Sequence, residues 1–182
     1  MLYDSLALLE FGSHPDAHYA LNEVLLNYQV VVVLSRRICP GRYLLVFNGK
    51  TQDIKNALSH AQSIFDEKEI ATAFIGGVSE PTVEALNRKK GDALGAALAI
   101  VETRRALHAI EAADIAVENT PVSILKLDIG LGLFGKGVLH LTGRLADVQT
   151  AIRHIEGELD PDKKSMTSRV ISKPVPNLMD YL

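Results

Sequence analysis

Tryptophan is absent from the 182 residues, and cysteine occurs once, at Cys39. A single thiol has no partner for a disulfide within its own chain, and it is too few ligands for a metal that takes three or four. Taken by residue type, Cys39 is a compact, half-buried apolar side chain in a tight turn. The other route to a role is symmetry, which would bring copies of it together. The lack of a disulfide framework suits a reducing compartment, so the expected location is cytoplasmic. Aromatic residues make up only 5% of the chain and the formal charge is −3 with scattered basic residues, which leaves no stacking surface and no electrostatic footprint for nucleic acid. Long apolar runs are missing too. The longest, residues 93–101, falls far short of the roughly 20 residues that span a bilayer. The chain opens without a charged segment ahead of an apolar core, so it is expected to stay where it is made and to engage no membrane. What the chain has in plenty is core: 47% hydrophobic residues suffice for one domain or two small ones.

The first positive feature is an internal repeat. Ala7-Leu8-Leu9-Glu10 is answered by Ala99-Ile100-Val101-Glu102, a spacing of 92 positions that persists through Ala20 and Ala112, Asn27 and Asn119, and Val30 and Val122. Beyond that the spacing becomes 94: Gly41-Arg42 answers Gly135-Lys136, Gly49-Lys50 answers Gly143-Arg144, and Asp53-Ile54 answers Asp147-Val148. Two residues are therefore inserted between Val122 and Gly135. An ordered series of Glu, Asn, Gly and Asp anchors is not what two unrelated amphipathic segments produce. The chain reads as two copies of one fold, residues 1–90 and 91–182.

Each copy carries the same order of elements. A short apolar strand, Ser5 to Glu10 in the first copy, precedes a helix whose apolar positions Ala17, Leu21, Val24 and Tyr28 fall on one face. Ala106, Ile110, Ala113 and Val117 repeat that spacing, with Ser13 and Thr103 as N-caps. The β-rich runs Val30 to Leu34 and Val122 to Leu127 then lead through a turn into Arg42 to Phe47 and Gly137 to Leu141, which predicts hairpins. A second helix follows, with Ile54, Ala57, Leu58, Ala61 and Phe65 on one face in copy one and Val148, Ala151, Ile152 and Ile155 in copy two. A last strand closes each copy, near Ala71 to Ile75 and Arg169 to Ser172. The fold class is α+β, two tandem antiparallel sheets with helices packed on one face of each.

Leu9-Glu10 with Val101-Glu102-Thr103-Arg104, Glu111-Ala112-Ala113-Asp114, and Gly143 followed by Asp147-Val148 carry a resemblance to a known family. Each copy resembles a bacterial microcompartment shell domain. The whole chain is similar to the tandem-domain shell proteins, whose trimers imitate a six-domain tile. Ile38-Cys39-Pro40-Gly41 followed by Arg42-Tyr43-Leu44-Leu45 is most similar to the propanediol-utilisation branch of that family, in which central cysteines hold an iron–sulfur cluster.

The resemblance implies a homotrimeric pseudohexamer that assembles with other shell proteins and is not an enzyme. Its pore would be lined by Arg36, Arg37, Ile38, Cys39, Pro40 and Gly41 from copy one. Copy two, which lacks a cysteine, would contribute Gly130, Leu131, Gly132, Leu133 and Phe134. Three Cys39 thiolates would meet on the axis as ligands of one [4Fe-4S] cluster shared by three chains, leaving one iron for water or another ligand. Arg36 and Arg37 beside the turn would favour the thiolate and offset the cluster's charge, although either arginine taken singly fits a solvated pore rim equally well. Such a cluster would pass electrons across the shell to a redox partner enzyme. Two other readings stand beside this one: a pore for small metabolites with no cluster, and an enzyme with Cys39 as nucleophile, for which the turn supplies no base. The family also carries a lysine sixteen positions after the strand-ending Glu, at the tile edge. Here those positions are Leu26 and Glu118.

Two motifs imitate other chemistry. Gly130 to Lys136 follows a phosphate-loop pattern until residue 137, which is Gly where a hydroxyl is needed, and a strand follows instead of a helix. It reads as a flexible, glycine-rich turn. His14 and His18 stand four apart in a first helical turn, but no third ligand accompanies them and copy two has Ala106 and Ile110 there, so they read as surface histidines.

Overall fold

The structure, a computed structural model, describes every residue except 1–3, 88–90, 92, 131, 161, 163 and 164. Strand β1 (Ser5–Phe11) is apolar on both of its faces except for Ser5 and Glu10, and all seven residues are buried. A strand buried on both faces belongs in the middle of a sheet. It pairs antiparallel with β3 (Arg42–Gly49) on one side and β4 (Ile70–Gly76) on the other, and β2 (Val30–Ile38) completes the order β2-β3-β1-β4. Helices α1 (His14–Asn27) and α2 (Thr51–Ile64) pack on one face. There Ala7, Leu9 and Phe11 meet Ala17, Ala20 and Val24 of α1, and Ile54, Ala57, Leu58 and Ala61 of α2. Phe11 and Phe65 stack edge to face at 5.2 Å in this core. Ser13 caps α1, its hydroxyl accepting from the Asp16 amide.

After the short helix α3 (Glu80–Leu86) the order repeats: β5 (Ala97–Thr103), α4 (Ala106–Asn119), β6 (Ser123–Ile129), β7 (Gly137–Gly143), α5 (Leu145–Leu159) and β8 (Met166–Ile171), with a closing 3-10 turn at Pro176–Tyr181. The second sheet has the order β6-β7-β5-β8, the same arrangement strand for strand. Even the irregularities coincide. β2 is out of register between Val32 and Leu34, and β6 between Ile124 and Lys126, so the extra residues are Val33 and Leu125, again 92 apart. The two inserted residues therefore lie in the hairpin turn. Ile38 pairs with Arg42 across three turn residues, whereas Ile129 pairs with Gly137 across seven: two are the insertion, and two more are Gly130 and Lys136, which match Ile38 and Arg42 but do not pair.

Three expectations need correction. Thr103 does not cap α4: Arg105 holds the N-cap position, while Thr103 ends β5 and its hydroxyl donates to the Arg105 carbonyl at 2.8 Å. The last strand of copy two begins three residues before Arg169 and ends at Ile171. β2 continues past Leu34 to Ile38, which places Arg36 and Arg37 on a strand, in register with Leu44 and Tyr43 of β3.

The chain forms two compact units. The first comprises Met1–Glu80 with Gly130–Gly135, and the second Pro81–Ile129 with Lys136–Leu182. The glycine-rich turn thus belongs, by its contacts, with the cysteine turn of copy one.

Candidate functional site

Cys39 sits at the tip of the β2–β3 hairpin as a free, half-buried thiol, between buried Ile38 and exposed Pro40 and Gly41. Gly41 has φ +69°, a left-handed conformation that a residue without Cβ adopts freely and that lets three residues reverse the chain. Behind the tip, the Arg42 guanidinium donates to the buried Glu10 carboxylate at 2.6 Å. Arg36 and Arg37, adjacent on a strand, point to opposite sheet faces, so they do not flank the thiol together. Arg37 shares a face with its partner Tyr43, whose hydroxyl lies 3.1 Å from the Ser35 hydroxyl and whose ring packs against His14 at 5.3 Å and His18 at 4.9 Å. His18 Nδ1 donates to the His14 carbonyl at 2.8 Å. Both histidines are thus engaged in packing around Tyr43.

The second turn lies against the first. The Cys39 amide donates to the Gly130 carbonyl at 3.2 Å. A Cβ on Gly130 would come within 2.5 Å of the Ile38 Cγ2, and one on Gly135 within 3.2 Å of the Cys39 carbonyl oxygen and 3.5 Å of the Arg42 Cδ. The turn expected to be a flexible rim is docked at both its ends. Between them, Gly132 is open and Phe134 is 78% exposed with φ +51°, a combination of exposure and left-handed backbone that is unfavourable for an aromatic residue. Leu133 is half-buried; Leu131 lies outside the described residues. Sequence reasoning missed the docking, and it also missed Arg42, whose side chain lies beside Gly135.

The donor set decides what the turn can hold. Among the described residues no three His, Cys, Asp or Glu side chains gather as a metal site. One chain offers one thiol, and that thiol is neither bonded nor fully enclosed. This fits an iron–sulfur cluster only when several chains share it, three thiolates leaving one iron open.

Leu26 is 72% exposed near the end of α1, beside exposed Leu25, and Glu118 is exposed at the matching position of α4. Among the described residues no helix is long and apolar enough to cross a membrane.

The element order and the sheet topology, repeated in the two copies, form a fold that known proteins share. Residues 97–174 match the BMC domain family. The chain is 24% identical over 148 residues to the bacterial microcompartment shell protein PduT of Citrobacter freundii, covering 81% of this chain and 80% of that one. A microcompartment protein from Desulfitobacterium hafniense superimposes with a TM-score of 0.84 at 23% identity, covering 98% of this chain and 99% of the other. A double-ringed trimeric shell protein of the RMM microcompartment superimposes with a TM-score of 0.66 at 17% identity, over 85% and 82% of the two chains. At these identities the solved structures speak for the fold. The chain carries a BMC domain and is a homologue of bacterial microcompartment shell proteins.

Proposed function

We propose that the protein is a structural tile of a microcompartment shell, built from two shell domains, residues 1–90 and 91–182, and assembled as a cyclic homotrimer. Each chain supplies two of six wedges, and a ring of identical contacts closes. The observation that carries the reading is the half-buried free thiol at a hairpin tip, on a chain whose repeat gives it a near-equivalent tip without one. The trimeric RMM shell protein and the likeness to PduT support it.

In the trimer three Cys39 thiolates hold one [4Fe-4S] cluster, which when bound supplies one-electron exchange. The chain's own part is to present the thiol at a fixed tip, to exclude water behind it with Ile38, and to keep a cation close through Arg42. Pro40 and Gly41 turn the chain outward, and copy two brings Gly132 and Phe134 to the rim. The redox partner is an electron-transferring enzyme, and neighbouring tiles are other shell proteins of the bacterial cytoplasm. Phe134 favours a second reading, a pore for small metabolites without a cluster, because an exposed aromatic at the rim narrows an opening whether or not iron is present.

Cys39→Ser separates the two readings. The variant should still form trimers in sedimentation, while anaerobic reconstitution with iron and sulfide should give a brown wild type and a colourless variant. A colourless wild type leaves the metabolite pore; a stable monomer removes the tile.

The tile edge should also differ from that of lysine-bearing shell proteins. Leu26 offers no donor, and Glu118 is an acceptor where a neighbouring edge presents carbonyls. The purified protein should form few extended sheets under negative stain, and Leu26→Lys with Glu118→Lys should promote them. Abundant wild-type sheets would overturn this assignment.

A further inference from the structure

We infer that the glycine-rich turn of the second copy is a positioning element for Cys39, so that the turn without a thiol and the turn with one form a single site. This deepens the reading of Cys39 as a ligand and rests on it for its use, but the positioning itself is a property of the free thiol.

Three observations converge. The Gly130 carbonyl accepts the Cys39 amide at 3.2 Å, which fixes the backbone of the thiol-bearing residue itself. Gly130, at φ +105°, lies so close to Ile38 that a Cβ would sit 2.5 Å from its Cγ2. Ile38 is only 1% exposed, so its side chain has little room to withdraw. Gly135, at φ +81°, closes over the Cys39 carbonyl and the Arg42 side chain, and Glu10 holds Arg42 in turn. The cysteine is thereby held by its amide and through the residue before it, with Gly135 lying close against its carbonyl. Gly132 lies between these contacts at φ +80°, and a Cβ added there would meet nothing within 4 Å. The sequence spends two glycines where a close approach demands them and one where only the backbone conformation does.

That arrangement contains its own control. A side chain at 130 (φ +105°) or at 132 (φ +80°) is strained by the backbone in either case, but only the one at 130 also pushes on Ile38 and the cysteine turn. Because Cys39 is the only cysteine, a thiol reagent reports on this one position. The experiment compares the second-order rate of iodoacetamide alkylation, in metal-free full-length protein, for wild type, Gly130→Ala and Gly132→Ala, with thermal unfolding of each recorded alongside.

Gly130→Ala should raise the rate about tenfold, equivalent to ~1.4 kcal/mol in the equilibrium that exposes the thiol, while Gly132→Ala stays within about twofold of wild type. If Gly130→Ala does not fold, Gly135→Ala takes its place, since its contacts are looser, and should raise the rate in the same direction. Equal rates for the 130 and 132 variants, or no acceleration in the 130 and 135 variants, would overturn the positioning role. A local effect on the thiol that exceeds the fall in overall stability is what mere destabilisation would not give. Positioning and ligation also fail separately. If the wild type takes up no cluster yet the rates differ as expected, positioning stands and ligation falls; a cluster-loaded wild type with flat rates leaves ligation standing and removes positioning.

Discussion

The two hairpin tips are built on the same scaffold and end differently. Both sheets have one strand order, both hairpins carry a bulge at the same place, and both keep an ion pair from the central strand to the position where the chain returns from the turn: Glu10 to Arg42 at 2.6 Å and Glu102 to Lys136 at 2.7 Å. The first tip is three residues long and carries the thiol, while the second is seven long, glycine-rich, and folded against the first. Duplication has preserved what holds each hairpin and released what lies at its end. One chain thus brings two unlike parts to one place, which six identical single domains cannot do.

The ion pairs give the largest expected contrast. The Glu10 side chain is fully buried and that of Arg42 is 36% exposed, whereas Lys136 and Glu102 are 44% and 43% exposed. Arg42→Met should cost about 3 kcal/mol, the low end for breaking a buried pair, because Arg42 retains some water contact. Lys136→Met should cost under ~1 kcal/mol, as for a solvated pair. Urea unfolding of the two variants measures both, and equal losses would show that the copies hold their tips in the same way.

A smaller contrast lies at the sheet positions of Val46 and His140, which occupy matching places in β3 and β7 opposite Leu8 and Ile100. Burial holds the His140 imidazole below its ordinary value of 6.5, with Asp128 opposing the shift, Lys126 adding to it, and a hydrogen bond to the Lys126 backbone opposing it. A folded-state value below the unfolded one means that the unfolded chain binds the extra proton first. The stability contributed is therefore complete above about pH 6.5 and is lost as pH falls through that value toward the folded-state pKa, by at most ~1.4 kcal/mol per pH unit. His140→Val, which copies the first sheet's residue, should remove this part of the acid sensitivity. Denaturant titrations at neutral and mildly acidic pH would show parallel losses in the two proteins if His140 is not the group responsible.

Much of the fold was legible because its signals are local and repeated. Apolar residues at helical spacing marked Ala17 and Val24 on α1 and Val148, Ala151, Ile152 and Ile155 on α5, all buried as expected. The anchors Glu10 and Glu102 were visible before their partners were. What escaped depended on geometry across distance. Thr103 has the chemistry of a cap, but the β5 ladder continues through it to Gly137 and Met166, and a residue still paired in a sheet does not begin a helix. Arg36 and Arg37 read as a pair in sequence and face opposite ways on a strand, a consequence of the two-residue period. The glycines of 130 to 135 suggested mobility; that two of them are there to let Ile38 and Cys39 approach follows only from the folded contacts.

In the proposed tile, a thiol present once per chain becomes a site through threefold assembly. Iron and acid-labile sulfide, measured per chain on anaerobically reconstituted trimers, test this most directly. About four irons and four sulfides are expected for every three chains, lost completely in Cys39→Ser. A wild-type trimer that binds neither, or a Cys39→Ser trimer that binds both equally well, would contradict it.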